Sequence, residues 1–394
     1  MEQTLDRTAL DLLAVAREAA EEIATRASTV DEEGQFPVES LAVLRKAGLM
    51  GLIIPQEYGG IGASIHLMSQ VAQILAGACL STGMIWAMHL QQVACLIDYA
   101  DESLKSRLLP RIAAGEVFVA SVTSERGKGG HLLTALAPLD VDGDQVVINR
   151  EAPTCTGGAQ GDGYLITMRR DEDSNPSDVV LVYAEREQLD LTLQSGWQSL
   201  GMRGTQSIGL TLQGQVPCDQ VLKAEEGFGQ IALTSMVPVG HIAWASCWLG
   251  ATQEAFRQMQ RLLRDPKTRQ GYPLQSDLFM EKWARIRLEL DTVAAFLDKA
   301  VRDYEAMREE QAEYSAYKAH GYNIQINNLK VLASEKLYET INRLVQLAGL
   351  RFGYLKQNGT SLERTLRDLR AASLMYSNDR LLLANGKLAL MDRM

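Results

Sequence analysis

Cysteine is scarce in this chain: five residues among 394, Cys79, Cys95, Cys155, Cys218 and Cys247, are odd in number, widely spread and without a C-x-x-C pair. That pattern supports neither a disulfide framework nor a zinc cage. The five histidines, His66, His89, His131, His241 and His320, show no ligand spacing, so no metal site is expected. Positive charge is short as well. With 39 Lys+Arg against 49 Asp+Glu the net charge is −10, which argues against a general nucleic-acid binder or a protein that coats anionic membranes. No uninterrupted apolar run approaches the roughly eighteen residues of a membrane helix. The opening Met1-Glu2-Gln3-Thr4, followed by Asp6, lacks the charged-then-apolar layout of a signal peptide. A soluble protein of a reducing cytoplasm, binding neither nucleic acid nor membrane, is the expectation.

Catalytic signatures are missing too. No G-x-G-x-x-G follows a strand, and neither G-x-x-x-x-G-K-[ST] nor H-E-x-x-H occurs. The nearest approach to a hydrolase nucleophile elbow is Gly204-Thr205-Gln206-Ser207-Ile208-Gly209, where Thr205 occupies the place that turn needs for glycine.

What is present is ordinary globular composition, 46% hydrophobic and 22% charged, over a length that suits two or three domains. Three textures follow one another. From Thr8 to about Ala113, apolar residues such as Leu13, Ala16, Ala20 and Ile23 recur at steps of three and four, which predicts helices. Pro37 opens a second helix, and Pro55-Gln56-Glu57-Tyr58-Gly59-Gly60-Ile61-Gly62 reads as a glycine-hinged loop. Near Val117 short β-branched runs take over (117–122, 146–148, 164–168, 179–183 and 210–212), split by Asp142-Gly143 and Asn175-Pro176. Strands at that spacing, with no helix between them, predict a small antiparallel barrel or sandwich, not a parallel nucleotide-binding sheet. After Glu226 long helical stretches return, about 229–264, 276–308, 322–347 and 361–390, which bury one face each most economically as a four-helix bundle. The expected architecture is α+β in three domains: helical 1–115, a central antiparallel β-barrel over 116–225, and a C-terminal bundle over 226–394.

Six stretches carry a more specific signal. They begin with Ala47-Gly48-Leu49 and Ile54-Pro55-Gln56-Glu57-Tyr58-Gly59-Gly60-Ile61-Gly62, then Ser124-Glu125-Arg126-Gly127-Lys128-Gly129-Gly130-His131, then Leu200-Gly201-Met202-Arg203-Gly204-Thr205-Gln206-Ser207 with Val216-Pro217. Arg269-Gln270-Gly271-Tyr272, Gln346-Leu347-Ala348-Gly349 and Leu366-Arg367-Asp368 complete the series. In order and spacing they resemble the acyl-CoA dehydrogenase superfamily of flavoproteins, with its P-x-x-Y-G-G-x-G loop, S-E-P-x-x-G-S-D turn, L-G-x-R stretch, R-x-x-F, Q-x-x-G-G and x-R-D. The resemblance covers nearly the whole chain.

It implies a flavin between the β-domain and the C-terminal helices, usually FAD, with FMN or an externally supplied reduced flavin as alternatives, in a homodimer or homotetramer. The scarcity of cysteine and histidine then reads as chemistry lent by a cofactor. Contacts to the flavin ring would come from Val122, Thr123 and Ser124 and from Thr154, Cys155 and Thr156, the last standing at the family's W-I-T threonine. Arg269, Tyr272, Gln346 and Gly349 would reach the diphosphate and adenosine of a neighbouring subunit's FAD. Ordinary strand-end hydroxyls and a solvated arginine would explain the same residues without a flavin, and Cys155 reads best as a small buried residue. The implied substrate is an acyl thioester, linked to CoA or to a carrier protein. Gly130 and His131 stand where the family's serine and aspartate help seat it. A flavin reductase or an electron-transfer flavoprotein would be the redox partner.

The chain departs from the family where the chemistry is done. A family dehydrogenase removes an α-proton with a glutamate while the β-hydride passes to the flavin. An ungapped count places Tyr376 on that glutamate, in a loop about three residues short, and a second family seat falls on Gly240, next to His241. Both seats lack a carboxylate. The tryptophan of W-I-T is Thr154, and Thr154-Cys155-Thr156-Gly157-Gly158 resembles the x-x-[ST]-G-A segment of the superfamily's oxygen-using branch. His241, Tyr376 and Asp379 are the remaining candidates for proton transfer: a histidine at the mouth of a flavin site would titrate near neutrality, and Asp379 is the carboxylate of the shortened loop. A buried, hydrogen-bonded helix histidine, and Ser377-Asn378-Asp379 as a helix cap, are the plainer accounts. Three functions follow: a flavin-dependent oxidoreductase of an acyl thioester, a monooxygenase using reduced flavin and O₂, or an inactive flavin- or thioester-binding homologue.

Overall fold

A computed structural model of the protein describes residues 2–392 apart from 129, 357 and 358, so Gly129 of the 124–131 turn lies outside the described residues. Six helices come first: α1 (Glu2–Ala24), α2 (Ala27–Glu33), α3 (Val38–Lys46), α4 (Ile65–Ala78), α5 (Leu80–Tyr99) and α6 (Glu102–Ala113). Side-chain caps set two of their starts. Ser64 accepts from the Leu67 N–H at 3.1 Å and Asp101 from the Leu104 N–H at 2.9 Å, satisfying donors that a helix leaves open.

Eight strands follow: β1 (Val119–Val122), β2 (Asp140–Asp142), β3 (Gln145–Cys155), β4 (Gly163–Arg169), β5 (Val179–Glu185), β6 (Leu189–Ser195), β7 (Ile208–Pro217) and β8 (Val221–Leu222). They form two four-stranded sheets, ordered β1-β4-β5-β8 and β2-β3-β7-β6. Along β3 the buried residues alternate, Val146, Ile148, Arg150 and Ala152, as a strand with one inward face requires. The pairing is antiparallel except between β1 and β4, which run parallel from Val119 opposite Gly163 to Val122 opposite Ile166. This departs from the expected all-antiparallel arrangement for a topological reason. The chain leaves β1, builds β2 and β3 in the other sheet and only then returns as β4, and a crossover that long permits parallel pairing. The β3–β7 register slips between Ala152 and Cys155, which bends the end of β3.

The last part is helical again: α7 (Phe228–Ile231), a π turn (Ala232–Met236), α8 (Val237–Arg264), α9 (Asp277–Glu309), α10 (Tyr314–Tyr317), α11 (His320–Gly349), α12 (Leu362–Leu369) and α13 (Asn378–Ala389). The helix expected over 361–390 is therefore two. Tyr376 adopts φ 47°, in the left-handed region, where an α-helix cannot continue. An 18-residue window within Phe228–Arg264 reaches a mean hydropathy of 1.2, long and apolar enough for a membrane span, but 89% of it is buried inside the protein. It is the bundle's central helix: α8 packs on α4, α5, α9 and α11. The main hydrophobic cluster joins all three textures, from Leu44 and Trp86 through Tyr164 and Leu210 to Trp248 and Leu344.

At Gly250, α8 crosses α4 so closely that a Cβ would lie 2.1 Å from the Gln73 carbonyl oxygen. Backbone cannot swing aside as a side chain can. Gly250→Ala is expected to lower the unfolding free energy by roughly 1–3 kcal/mol through overpacking. The urea midpoint at unchanged m-value reads it; a wild-type midpoint would mean the helices separate freely.

Candidate active site

A cavity of about 650 Å³ lies where strand ends of the sheets meet α5, α8 and the 371–380 segment. Each wall follows from local periodicity. Met84, Met88 and Gln91 recur at steps of four and three on α5, and Val237, His241 and Trp244 do so on α8, so each set shares one helix face. The strand ends deliver Ser121, Thr123, Ser124, Thr154 and Thr156, and Trp197, Met202, Tyr376, Ser377 and Arg380 add to the lining.

The polar wall is internally braced. Ser124 Oγ donates to the Thr154 carbonyl at 2.6 Å and accepts the Thr154 N–H at 3.2 Å, clipping the chain beyond β1 to the end of β3. The Thr156 hydroxyl lies 2.9 Å from Ser207 Oγ, which lies 2.9 Å from Thr205 Oγ1, and Thr205 donates to the Met202 carbonyl at 2.8 Å. Trp197 Nε1 donates to the same carbonyl at 2.9 Å. Met202 takes φ 53°, and its N–H donates to Asp368 Oδ1 at 2.5 Å. Burial pushes the Asp368 carboxyl up to about 6.

His241 is buried, with Nδ1 3.1 Å from the Ile326 carbonyl oxygen. A carbonyl only accepts, so Nδ1 carries the hydrogen and Nε2 the lone pair. Burial pushes the imidazole down to about 3. It is neutral throughout the physiological range, unlike the near-neutral titration expected of it. Its ring centroid lies 5.7 Å from Trp244 and 5.8 Å from Tyr376, whose phenol burial holds above its ordinary value. At Gly240 a Cβ would meet Gln91 Nε2 at 2.2 Å, and that amide donates to the Met236 carbonyl at 2.8 Å. The Gln91 side chain of α5 thus occupies the space a side chain at residue 240 would need. Among the described residues, no Asp or Glu lines the cavity.

Of the residues singled out in the sequence, the cavity gathers Thr123, Ser124, Gly130, Thr154, Thr156, His241 and Tyr376. Others stand elsewhere. Val122 is fully buried in the core, where its carbonyl accepts from the Thr167 hydroxyl at 3.4 Å. Cys155 is buried in the core with Sγ 3.5 Å from the Ser121 carbonyl oxygen, and burial pushes its thiol up to about 12, leaving no thiolate to react. Asp379 is exposed in the first turn of α13, and His131 is exposed; neither lines the cavity. Arg269 and Gln346 are exposed, and Tyr272 donates to the Ala348 carbonyl at 3.2 Å beside Gly349, so these four make a separate cluster at the ends of other helices.

Sequence reading missed Gln91, Trp197, Trp244 and Arg380. Trp244 was findable, since it follows His241 by three on an apolar helix. Trp244 Nε1 and Arg380 Nη1 are buried without a hydrogen-bond partner, an arrangement that suits a ligand rich in acceptors. An isoalloxazine is such a ligand, accepting at N1, O2, N5 and O4 and needing apolar walls around its body. The hydroxyls of Thr123, Thr154 and Thr156, with Trp197 alongside, fit its edge, and Ser124, whose hydrogen goes to the Thr154 carbonyl, braces it.

Comparison with known proteins bears on this site. Residues 10–116 match the family description "Acyl-CoA dehydrogenase, N-terminal domain" and residues 226–376 match "Acyl-CoA dehydrogenase, C-terminal domain". A probable acyl-CoA dehydrogenase of Bacillus subtilis (strain 168), YngJ, is 26% identical over 360 residues, covering 89% of each chain. Two solved structures share the fold across 98% of both chains: butyryl-CoA dehydrogenase from Megasphaera elsdenii, at 18% identity and a TM-score of 0.83, and FMN-bound TdsC, a dibenzothiophene monooxygenase from Paenibacillus sp. A11-2, at 21% and 0.86. With both family segments matched over most of its length, on a fold and donor set that suit a flavin, the chain belongs to the acyl-CoA dehydrogenase family of flavin-dependent oxidoreductases.

Proposed function

We propose that the protein uses reduced flavin and O₂ to oxygenate a small, largely apolar molecule, instead of dehydrogenating an acyl thioester. One observation carries the reading: among the described residues the cavity wall holds no carboxylate. Taking an α-proton needs a base whose strength suits neutral pH. His241 Nε2 has a lone pair, but an imidazole held down to about 3 is too weak a base for that task. Asp379, the carboxylate of the shortened loop, is exposed and outside the cavity.

A bound flavin supplies the reducing equivalents and the activation of O₂. The chain's own residues then have three tasks. Thr123, Thr154 and Thr156 hold the flavin's polar edge, and Ser124 braces the strand end that carries Thr154. Met84, Met88, Met236, Met375, Trp197 and Trp244 keep water out of the space before it and favour an aromatic or heteroaromatic guest. His241 Nε2 accepts a hydrogen bond from that guest, and the Tyr376 phenol, kept protonated, donates one. FMN in the structure of TdsC supports the mononucleotide as the flavin tried first, with a flavin reductase as its source.

The test is stopped-flow reoxidation of the reduced, flavin-loaded protein with indole or dibenzothiophene as probes. The expected result is a transient absorbing species distinct from reduced and oxidised flavin, and ¹⁸O from ¹⁸O₂ in the product. An anaerobic panel of acyl-CoA thioesters should leave the oxidised flavin unbleached. Bleaching by a thioester would restore the dehydrogenase reading.

A further inference from the structure

We propose that Arg380 is an oxyanion clamp within this cavity, holding the terminal phosphate of a flavin mononucleotide or the carboxylate of a substrate. The inference deepens the proposed use of the cavity but concerns binding alone, so it stands or falls separately from the reaction with O₂.

The guanidinium is out of place without an anion. Arg380 lines the cavity, makes no ion pair among the described residues, and has Nη1 buried with no hydrogen-bond partner. Three other buried or half-buried arginines are answered by carboxylates, Arg150 by Glu125, Arg308 by Asp98, and Arg367 by Asp31 and Glu363, while Arg169 meets the Ser174 carbonyl. Arg380 has a carboxylate next to it in sequence, Asp379, which turns outward and leaves it unpaired. Among the described residues no Asp or Glu lines the cavity to compensate it. A buried guanidinium N–H without an acceptor is disfavoured. An anion entering the cavity removes that penalty, and a planar guanidinium meets a carboxylate or phosphate with two parallel hydrogen bonds.

Gly130, at φ 77°, abuts Arg380, and a Cβ built on it would lie 3.8 Å from the guanidinium Cζ and Nη1. Any longer side chain there would cover the fork. Ser377 and Tyr376 line the cavity on the same segment as Arg380. The charge of the chain as a whole, −10, repels anions, which makes one unpaired cation in an acid-free cavity the local exception.

The experiment uses the oxidised full-length protein and needs no turnover. Wild type, Arg380→Gln and Arg380→Lys are titrated with riboflavin, FMN and FAD, and with indole and indole-2-carboxylate, following fluorescence. If the flavin phosphate is the anion, Arg380→Gln weakens FMN about 10- to 100-fold and leaves riboflavin unchanged. If a substrate carboxylate is the anion, all three flavins bind as in wild type and the preference for indole-2-carboxylate over indole falls by a similar factor. Arg380→Lys recovers part of whichever preference is lost, since it keeps the charge without the fork. Wild-type ratios for both pairs in a folded Arg380→Gln protein would overturn the proposal.

Discussion

Arg150→Met should lower the unfolding free energy by about 3–5 kcal/mol and loosen flavin binding as well, because one buried cation holds three pieces of the β-domain together. Arg150 is wholly buried on β3. Its Nε donates to the Thr167 carbonyl on β4 at 3.1 Å, Nη1 to the Glu151 carbonyl at 2.5 Å and Nη2 to the Ser124 carbonyl at 2.8 Å, the last at the cavity wall. Glu125, 3.4 Å away, answers its charge and accepts the Leu136 and Ala137 N–H groups at 2.9 and 2.8 Å. Methionine fills much of the volume but leaves three carbonyls and a nearly buried carboxylate without their cation. Urea midpoints read the stability, and flavin fluorescence reads the wall. Arg150→Met combined with Glu125→Gln should recover part of the loss, since the uncompensated charge is gone. A single variant with wild-type midpoint and wild-type flavin affinity would mean the network holds nothing.

Local pattern made much of this protein legible. The steps of three and four that announce α1 also place Ala16 and Ile23 in the core, and the short β-branched runs fall on observed strands. Family resemblance singled out Thr123, Ser124 and Thr156, and strand ends set all three on the cavity wall. Features that depend on distant partners stayed hidden. Parallel pairing of β1 with β4 follows from the route of the chain between them, which no window of residues records. The break before α13 has no glycine or proline to mark it: Arg370-Ala371-Ala372-Ser373-Leu374-Met375 would suit a helix, and the turn appears only in Tyr376's left-handed backbone. Arg380 resembles any first-turn surface arginine until its missing partner is seen. The neutrality of His241 likewise comes from what packs around it, Trp244, Tyr376 and the Ile326 carbonyl, and not from its neighbours in sequence.

That neutrality makes the fold acid-labile. His241 and His89 are both fully buried, and burial pushes them down to about 3 and about 4. Their hydrogen bonds are built for neutral rings: His89 Nε2 lies 3.1 Å from the Met50 carbonyl and Nδ1 accepts the Val119 N–H at 3.0 Å, so a second ring proton would collide with the start of β1. Unfolded histidine takes up its proton near 6.5. Between that value and the folded ones the unfolded chain binds more protons, so stability falls as pH drops below 6.5. From pH 7 to pH 5 each histidine removes about 2 kcal/mol. Asp368 works the other way, because its carboxyl, raised to about 6, is protonated first in the folded state; it returns about 1 kcal/mol over the same interval. The balance is a loss of about 3 kcal/mol, visible as a falling urea midpoint at pH 7, 6 and 5. His241→Gln should start lower at pH 7, where a packed ring is lost, and then fall less steeply, since one of the two linked protons is gone. A wild-type midpoint that stays level from pH 7 to 5 would show that these rings are not held neutral, and with it the argument that His241 is too weak a base for α-proton removal would fail.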